Sequence, residues 1–262
     1  AYHGSTQGAL SIMGNEKLKQ PFRPLLPDIR FIDFNNENDI PHITEKTVCV
    51  IVEPIQGEAG IILPQNDYLG KLRKKCDETG ALLVFDEVQT GILRTGKNFA
   101  FEHYGAVPDI LVLAKALGGG MPLGAFVTSK NIMQSLTHNP SLGHITTFGG
   151  HPVCCAAGLA SFRYLKNNIT DLEIDSKANL FYSLLEDNKF VKEIRYKGLL
   201  MAVELADCNK IQQFIRLGVE HGIISDWFLF CDTAFRISPP LTITEDEIQD
   251  VVKIINLCLK EL

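Results

Sequence analysis

The chain has 262 residues, 45% of them hydrophobic and 21% charged, enough for a sizeable core in one large or two modest domains. A formal charge of −6, from 25 Lys and Arg against 31 Asp and Glu, lacks the basic face of a nucleic-acid or membrane-surface binder. No apolar run approaches the ~18–20 residues of a bilayer span, and no segment is polar and repetitive enough to read as disordered.

The chain begins at Ala1-Tyr2-His3-Gly4 with no methionine and no secretory signal, and so reads as the middle of a longer protein. Val48 to Pro54 is a continuous apolar run, the pattern of a strand buried on both faces. A helix follows, with Asp67 as its cap, Leu69, Leu72 and Cys76 as its stripe and Gly80 as its stop. Ala81–Val88, Asp109–Leu113 and Gly124–Thr128 are further strands, and their alternation with helical stretches predicts a mostly parallel sheet. Functional residues gather at the carboxyl ends of such strands. Glu53, Asp86, Glu87 and Lys115 all sit at or just past those ends.

Helices are predicted at about 152–166 and 176–191. Shorter α+β units then follow: a strand over Gly198–Leu205, a helix over Lys210–His221, and strands near Ile223–Phe230 and Ala234–Ser238. Thr244 and Glu247 form a capping box for the last helix, whose apolar face is Ile248, Val251, Val252, Ile255, Leu259 and Leu262. A domain change is placed between Asn167 and Ser176, giving units 1–170 and 171–262. The seven cysteines (Cys49, Cys76, Cys154, Cys155, Cys208, Cys231, Cys258) make no C-x-x-C pair and mostly lie in apolar segments. That is the pattern of buried, reduced thiols in a cytoplasmic protein. The seven histidines show no metal-ligand spacing, so no metal site is expected.

The strongest chemical signal is Asp86 at one strand end and Lys115 after the next strand, one βαβ step apart and able to reach one cleft. Lys115 lies in Leu113-Ala-Lys-Ala-Leu117 before Gly118-Gly119-Gly120. Desolvation there lowers a lysine pKa, as an imine-forming lysine requires. A lone lysine is more often a surface residue with a buried stem; the glycine triplet and the facing acid favour the chemical reading.

Seven segments then occur in order: Val52-Glu-Pro-Ile-Gln-Gly-Glu58, Phe85-Asp-Glu-Val-Gln-Thr-Gly91, Arg94-Thr-Gly96, Pro108-Asp-Ile110, Ala114-Lys-Ala-Leu-Gly-Gly-Gly120, Thr147-Phe-Gly-Gly150 and Arg236-Ile-Ser-Pro-Pro240. Together they resemble the class III pyridoxal-phosphate-dependent aminotransferases, the group with ornithine, acetylornithine and 4-aminobutyrate aminotransferases. The resemblance runs from Tyr2-His-Gly4 to the last helix. It implies an α/β fold, the type I fold of pyridoxal-phosphate-dependent transferases, with a large cofactor-binding domain (1–170, incomplete at its N-terminus) and a small C-terminal α+β domain (171–262).

By the same resemblance, Asp86 pairs with the pyridine nitrogen of pyridoxal 5'-phosphate, and Lys115 binds the cofactor covalently and moves protons. Val88 packs under the ring and Tyr2 stacks over it, with His3 beside that face. Gln89 bonds the ring's phenolic oxygen. Thr147, or its neighbour Thr146, binds the phosphate of a partner subunit's cofactor, which implies a homodimer with composite clefts. Glu58 and Arg236 match a substrate gate. Arginine recognises the α-carboxylate of 2-oxoglutarate, and the glutamate covers it when an ω-amino donor brings no carboxylate there.

Taken alone, Val88 is core, Tyr2 a strand aromatic and Thr147 a turn hydroxyl. Glu53 supports the site or forms a structural ion pair, Glu87 makes a backbone or ion-pair contact, and Arg94 is structural. Trp227-Phe-Leu-Phe230 is a buried strand or a lining of the donor pocket. The family carries a further N-terminal portion that holds the cofactor's phosphate at a helix N-terminus; without it, the chain is a fragment of a longer enzyme or a truncated homologue, and the intact downstream motifs favour the fragment. The activity implied is transamination from an amino donor, an ω-amine, to 2-oxoglutarate. The rivals are a lysine or diamine aminotransferase, an aminomutase of the same fold, and a cofactor-free binding or assembly subunit.

Overall fold

The computed structural model describes residues 1–262. The first sheet has the order β1 (Cys49–Val52), β2 (Leu82–Asp86), β3 (Ile110–Leu113), β4 (Ala125–Thr128). β1, β2 and β3 run parallel, and β4 closes the edge antiparallel to β3. Parallel neighbours need a crossover, and helix α1 (Tyr68–Thr79) supplies the one between β1 and β2. Its buried Tyr68, Leu69, Leu72 and Cys76 pack with Val52, Leu83, Phe85, Leu111 and Leu113. Each such side chain fully buried contributes ~1.5–3 kcal/mol. Gly80, at φ +75°, ends the helix as expected, whereas Asp67 makes no side-chain cap bond and is itself left-handed at φ +57°.

The apolar run of β1 is covered on one face only. Val52 is buried, but Cys49 and Ile51, on the alternate side, are exposed. A run without polar alternation marks what a strand tolerates rather than what covers it. The cysteines follow suit: all seven are free, yet only Cys76 and Cys258 are buried, and Cys49, Cys155 and Cys208 are exposed. Cys49 lies on the uncovered sheet face and Cys208 in a solvent-facing turn.

Helix α2 (Pro152–Asn167) packs against the turn that follows β3. The approach is close. A Cβ at Gly158 would meet the Leu117 carbonyl at 2.6 Å, and one at Gly119 would meet the Ala157 carbonyl at 2.7 Å.

The second sheet is antiparallel and smaller: β5 (Val191–Lys197), β6 (Leu200–Leu205), β7 (Trp227–Phe228) and β8 (Cys231–Ile237), in the order β5-β6-β8-β7. Helices α3 (Ile174–Leu185), α4 (Ile211–Glu220) and α5 (Glu245–Lys260) bury Phe181, Phe214, Ile248 and Ile255 against it. The capping box of α5 is present in both directions. Two expectations change here. The helix expected to reach 191 ends at Leu185 and β5 begins at Val191. The strand expected over 223–230 shrinks to Trp227–Phe228. No helix is long and apolar enough to cross a membrane.

Candidate active site

The carboxyl ends of β1, β2 and β3 converge on one cleft. Register pairs Val52 with Phe85, so Glu53 and Asp86 follow as side-by-side acids on the face away from α1. Asp86 is 8% exposed. Its Oδ2 accepts from His3 Nδ1 at 2.8 Å, and its Oδ1 from the Val88 N–H at 3.0 Å. A carboxylate only accepts, so His3 carries its proton on Nδ1. Val88 itself lies in the turn beyond β2, not on the strand.

Lys115 opens the 3-10 turn Lys115–Gly118 in a left-handed conformation, φ +47°. Such a conformation costs a non-glycine residue about 1–2 kcal/mol, and the close packing of α2 on this turn holds it. The side chain is open to the cleft, yet protein on its flanks pushes its pKa down by desolvation. Glu58, Asp86 and Glu53 oppose that shift and Arg236 adds to it. All four charges therefore act on one amine.

Glu58, 7% exposed, sits in the bridge between Gln56 and Ile62. Arg236 Nη2 donates to both of its oxygens, at 2.9 and 3.0 Å. Gln89 joins the pair: its Nε2 donates to Glu58 Oε1 at 2.8 Å and its Oε1 accepts from Arg236 Nη1 at 3.3 Å. The Leu229 N–H donates to Glu58 Oε2 at 3.1 Å. Burial raises the Glu58 pKa, but the Arg236, Leu229 and Gln89 bonds and the Arg236 charge outweigh it and hold it below the ordinary value. Arg236 also lies over the Phe228 ring at 4.6 Å. Gly57 makes room for this arrangement, since a Cβ there would meet the Gln89 amide at 2.8 Å.

Trp227–Phe230 is buried only in part. Phe228 is fully buried, while Trp227 and Leu229 join Glu58, Asp226 and Arg236 around a cavity of about 320 Å³. Tyr2 reaches the same region, its ring 6.3 Å from that of Phe230. Thr146 and Thr147 lie in an exposed loop, and neither bonds to the cluster.

Residues 1–259 match the sequence profile of aminotransferase class-III. The chain belongs to the class-III aminotransferase family. Among solved structures, it is similar to the ornithine aminotransferase of Toxoplasma gondii, with 31% identity and a TM-score of 0.88 over 98% of this chain and 62% of that one. The crystal structure of that enzyme is described as having partial occupancy of PLP at its active site. The acetylornithine aminotransferase of Elizabethkingia anophelis gives 34% identity and a TM-score of 0.80, covering 92% of this chain and 62% of that one. A Bacillus anthracis aminotransferase gives 26% identity and a TM-score of 0.88, covering all of this chain and 68% of that one. The chain thus spans a little over three fifths of the ornithine and acetylornithine aminotransferases it matches.

The donor set of this class-III aminotransferase chain suits pyridoxal phosphate. Asp86 offers an oriented carboxylate for a ring nitrogen, and Lys115 an amine with a depressed pKa and no hydrogen-bond partner among the side chains around it. Arg94 donates to the Leu199 and Pro239 carbonyls at 3.1 and 2.6 Å, a structural strut between the two sheets. Glu87 is likewise structural, accepting from the Ala100 and Phe101 N–H groups and from the Thr90 hydroxyl.

Sequence reasoning left Glu53 between two roles and missed one contact altogether. Glu53 accepts backbone bonds from Tyr2 and Gly57, and only its place before Pro54 at a strand end hinted at a role. The Leu229 contact to Glu58 is a backbone bond and has no sequence signal.

Proposed function

We propose that the complete protein binds pyridoxal 5'-phosphate through Lys115 and transfers the amino group of an ω-amine donor, of the ornithine, acetylornithine or 4-aminobutyrate type, to 2-oxoglutarate. The observation that carries this reading is the shared cleft. The parallel register brings Asp86 and the turn carrying Lys115 to the same sheet end, and the charges of Asp86, Glu58 and Arg236 all act on the Lys115 amine. When bound, the cofactor supplies an electron sink for the substrate carbon.

The chain's own residues do the rest. Asp86, oriented by His3, would hold a proton on the ring nitrogen. Lys115, its pKa lowered by desolvation, would take and return the substrate proton. Tyr2 and Val88 would pack against the cofactor, and Gln89, bonded here to Glu58 and Arg236, would have to give up part of that contact to bond it. Arg236 takes the α-carboxylate of 2-oxoglutarate once Glu58 moves aside, and Glu58 covers it for an ω-amine. Thr147, exposed here, would meet the phosphate of a second copy's cofactor, so the working unit is a homodimer. The two sheets support a division into 1–170 and 171–262. The seven free cysteines support a reducing, cytoplasmic setting.

The test is a donor panel on the complete protein with pyridoxal phosphate and 2-oxoglutarate. Glutamate should form with an ω-amine donor. Turnover that needs no added acceptor indicates the aminomutase, and a protein that takes up no cofactor indicates the binding subunit.

A further inference from the structure

We infer that Glu53 is a positioning residue that ties the aromatic wall of the cofactor cleft and the substrate gate to one buried anion. Its side chain lies among protein atoms, with the residue 3% exposed. Oε1 accepts the Tyr2 N–H at 3.0 Å and Oε2 the Gly57 N–H at 2.9 Å. Tyr2 carries the ring at the cleft, and Gly57 precedes Glu58. The circuit closes on the far side, because Phe230, whose ring lies against that of Tyr2, donates its N–H to the Glu58 carbonyl at 3.0 Å. A shift of either segment is therefore felt by the other.

The chemistry calls for a carboxylate. Two N–H groups arriving from different segments need an acceptor at each end of the side chain, and a glutamine would turn an N–H toward one of them. A charge buried without a lysine or arginine partner is costly unless hydrogen bonds compensate it. Glu53 has no such partner, and it stands beside Asp86 with His3 and Lys115 near. Burial pushes its pKa up, while the Gly57 and Tyr2 bonds and His3 act against that and the Asp86 charge adds to it. A carboxylate kept in so unfavourable a place, holding two cleft segments, is placed for alignment rather than for simple stability.

The inference rests on the proposed transamination, and its test separates the two. The complete protein is compared as wild type, Glu53→Gln, Glu53→Asp and Glu87→Gln. Glu87 is an equally buried strand-end acid that touches neither Tyr2 nor Gly57. The readouts are pyridoxal phosphate affinity by absorbance titration, hydrogen exchange of the segments containing Tyr2 and Gly57 in the cofactor-free protein, and the kcat/KM ratio of ornithine to L-glutamate. Glu53→Gln should weaken cofactor binding by about tenfold or more, speed exchange in at least one of the two segments and move the ratio by about threefold or more. Glu87→Gln should lower Tm and leave all three unchanged. If Glu53→Gln does not accumulate, Glu53→Asp carries the test: one methylene shorter, it reaches only one N–H and should release one segment. Glu53 variants that lower Tm alone, as Glu87→Gln does, overturn the inference with the transaminase reading intact. A wild type that takes up no cofactor overturns both.

Discussion

Removing the Glu58 side chain should redirect the enzyme toward substrates with a carboxylate beside the reacting carbon. In the structure, Glu58 occupies Arg236 with two bonds from one nitrogen, at 2.9 and 3.0 Å. An incoming α-carboxylate must displace it and undo the Gln89 and Leu229 bonds as well. Hydrogen bonds to charged groups contribute ~1.5–3 kcal/mol each. The pair keeps some solvent contact, with side-chain exposures of 9% for Glu58 and 21% for Arg236, which places the competition near the low end, about 2 kcal/mol in all. That corresponds to roughly thirtyfold. Glu58→Ala should therefore raise kcat/KM for L-glutamate relative to ornithine by about thirtyfold. The assay is initial-rate kinetics of both donors with the complete protein. An unchanged ratio, or one moved toward ornithine, would refute the gate.

Two further outcomes follow from the same geometry and its surroundings. Gly57→Ala places a methyl group 2.8 Å from the Gln89 amide, so Gln89 must leave Glu58 and Arg236; the donor ratio should move in the same direction as in Glu58→Ala, by a smaller factor, and identical kinetics would contradict the packing. His103 has a pKa lowered to about 4, chiefly by burial, against 6.5 in a free histidine. Its contribution to stability is full above 6.5 and is lost as pH falls toward 4, because the unfolded chain then binds the proton first. Thermal melts over that range should fall more gently for His103→Asn than for wild type, and parallel curves would contradict the assignment.

Much of the site was legible because it depends on strand ends. Apolar runs closed by an acid or followed by a lysine located Asp86 and Lys115, and the parallel register brings them to one cleft. The contact between Glu58 and Arg236 was expected only through resemblance, since nothing in their spacing signals it. β5 was missed because Val191–Lys197 mixes charge with partly buried positions and follows a helix without a glycine or proline stop. The depth of the β1 strand was overestimated because covering it depends on a tertiary neighbour, which a local run of residues does not encode. Glu53 was undecided for a related reason: both of its partners are backbone N–H groups, and backbone partners leave no mark in side-chain chemistry.

The central claim, that Lys115 is the residue that holds pyridoxal phosphate, is tested most directly by reductive trapping. The complete protein is incubated with the cofactor, reduced with borohydride, digested and mapped by mass spectrometry. The pyridoxyl mass should appear on the peptide containing Lys115 and vanish in Lys115→Ala. Label on a different lysine, or none on a folded protein, would contradict the account.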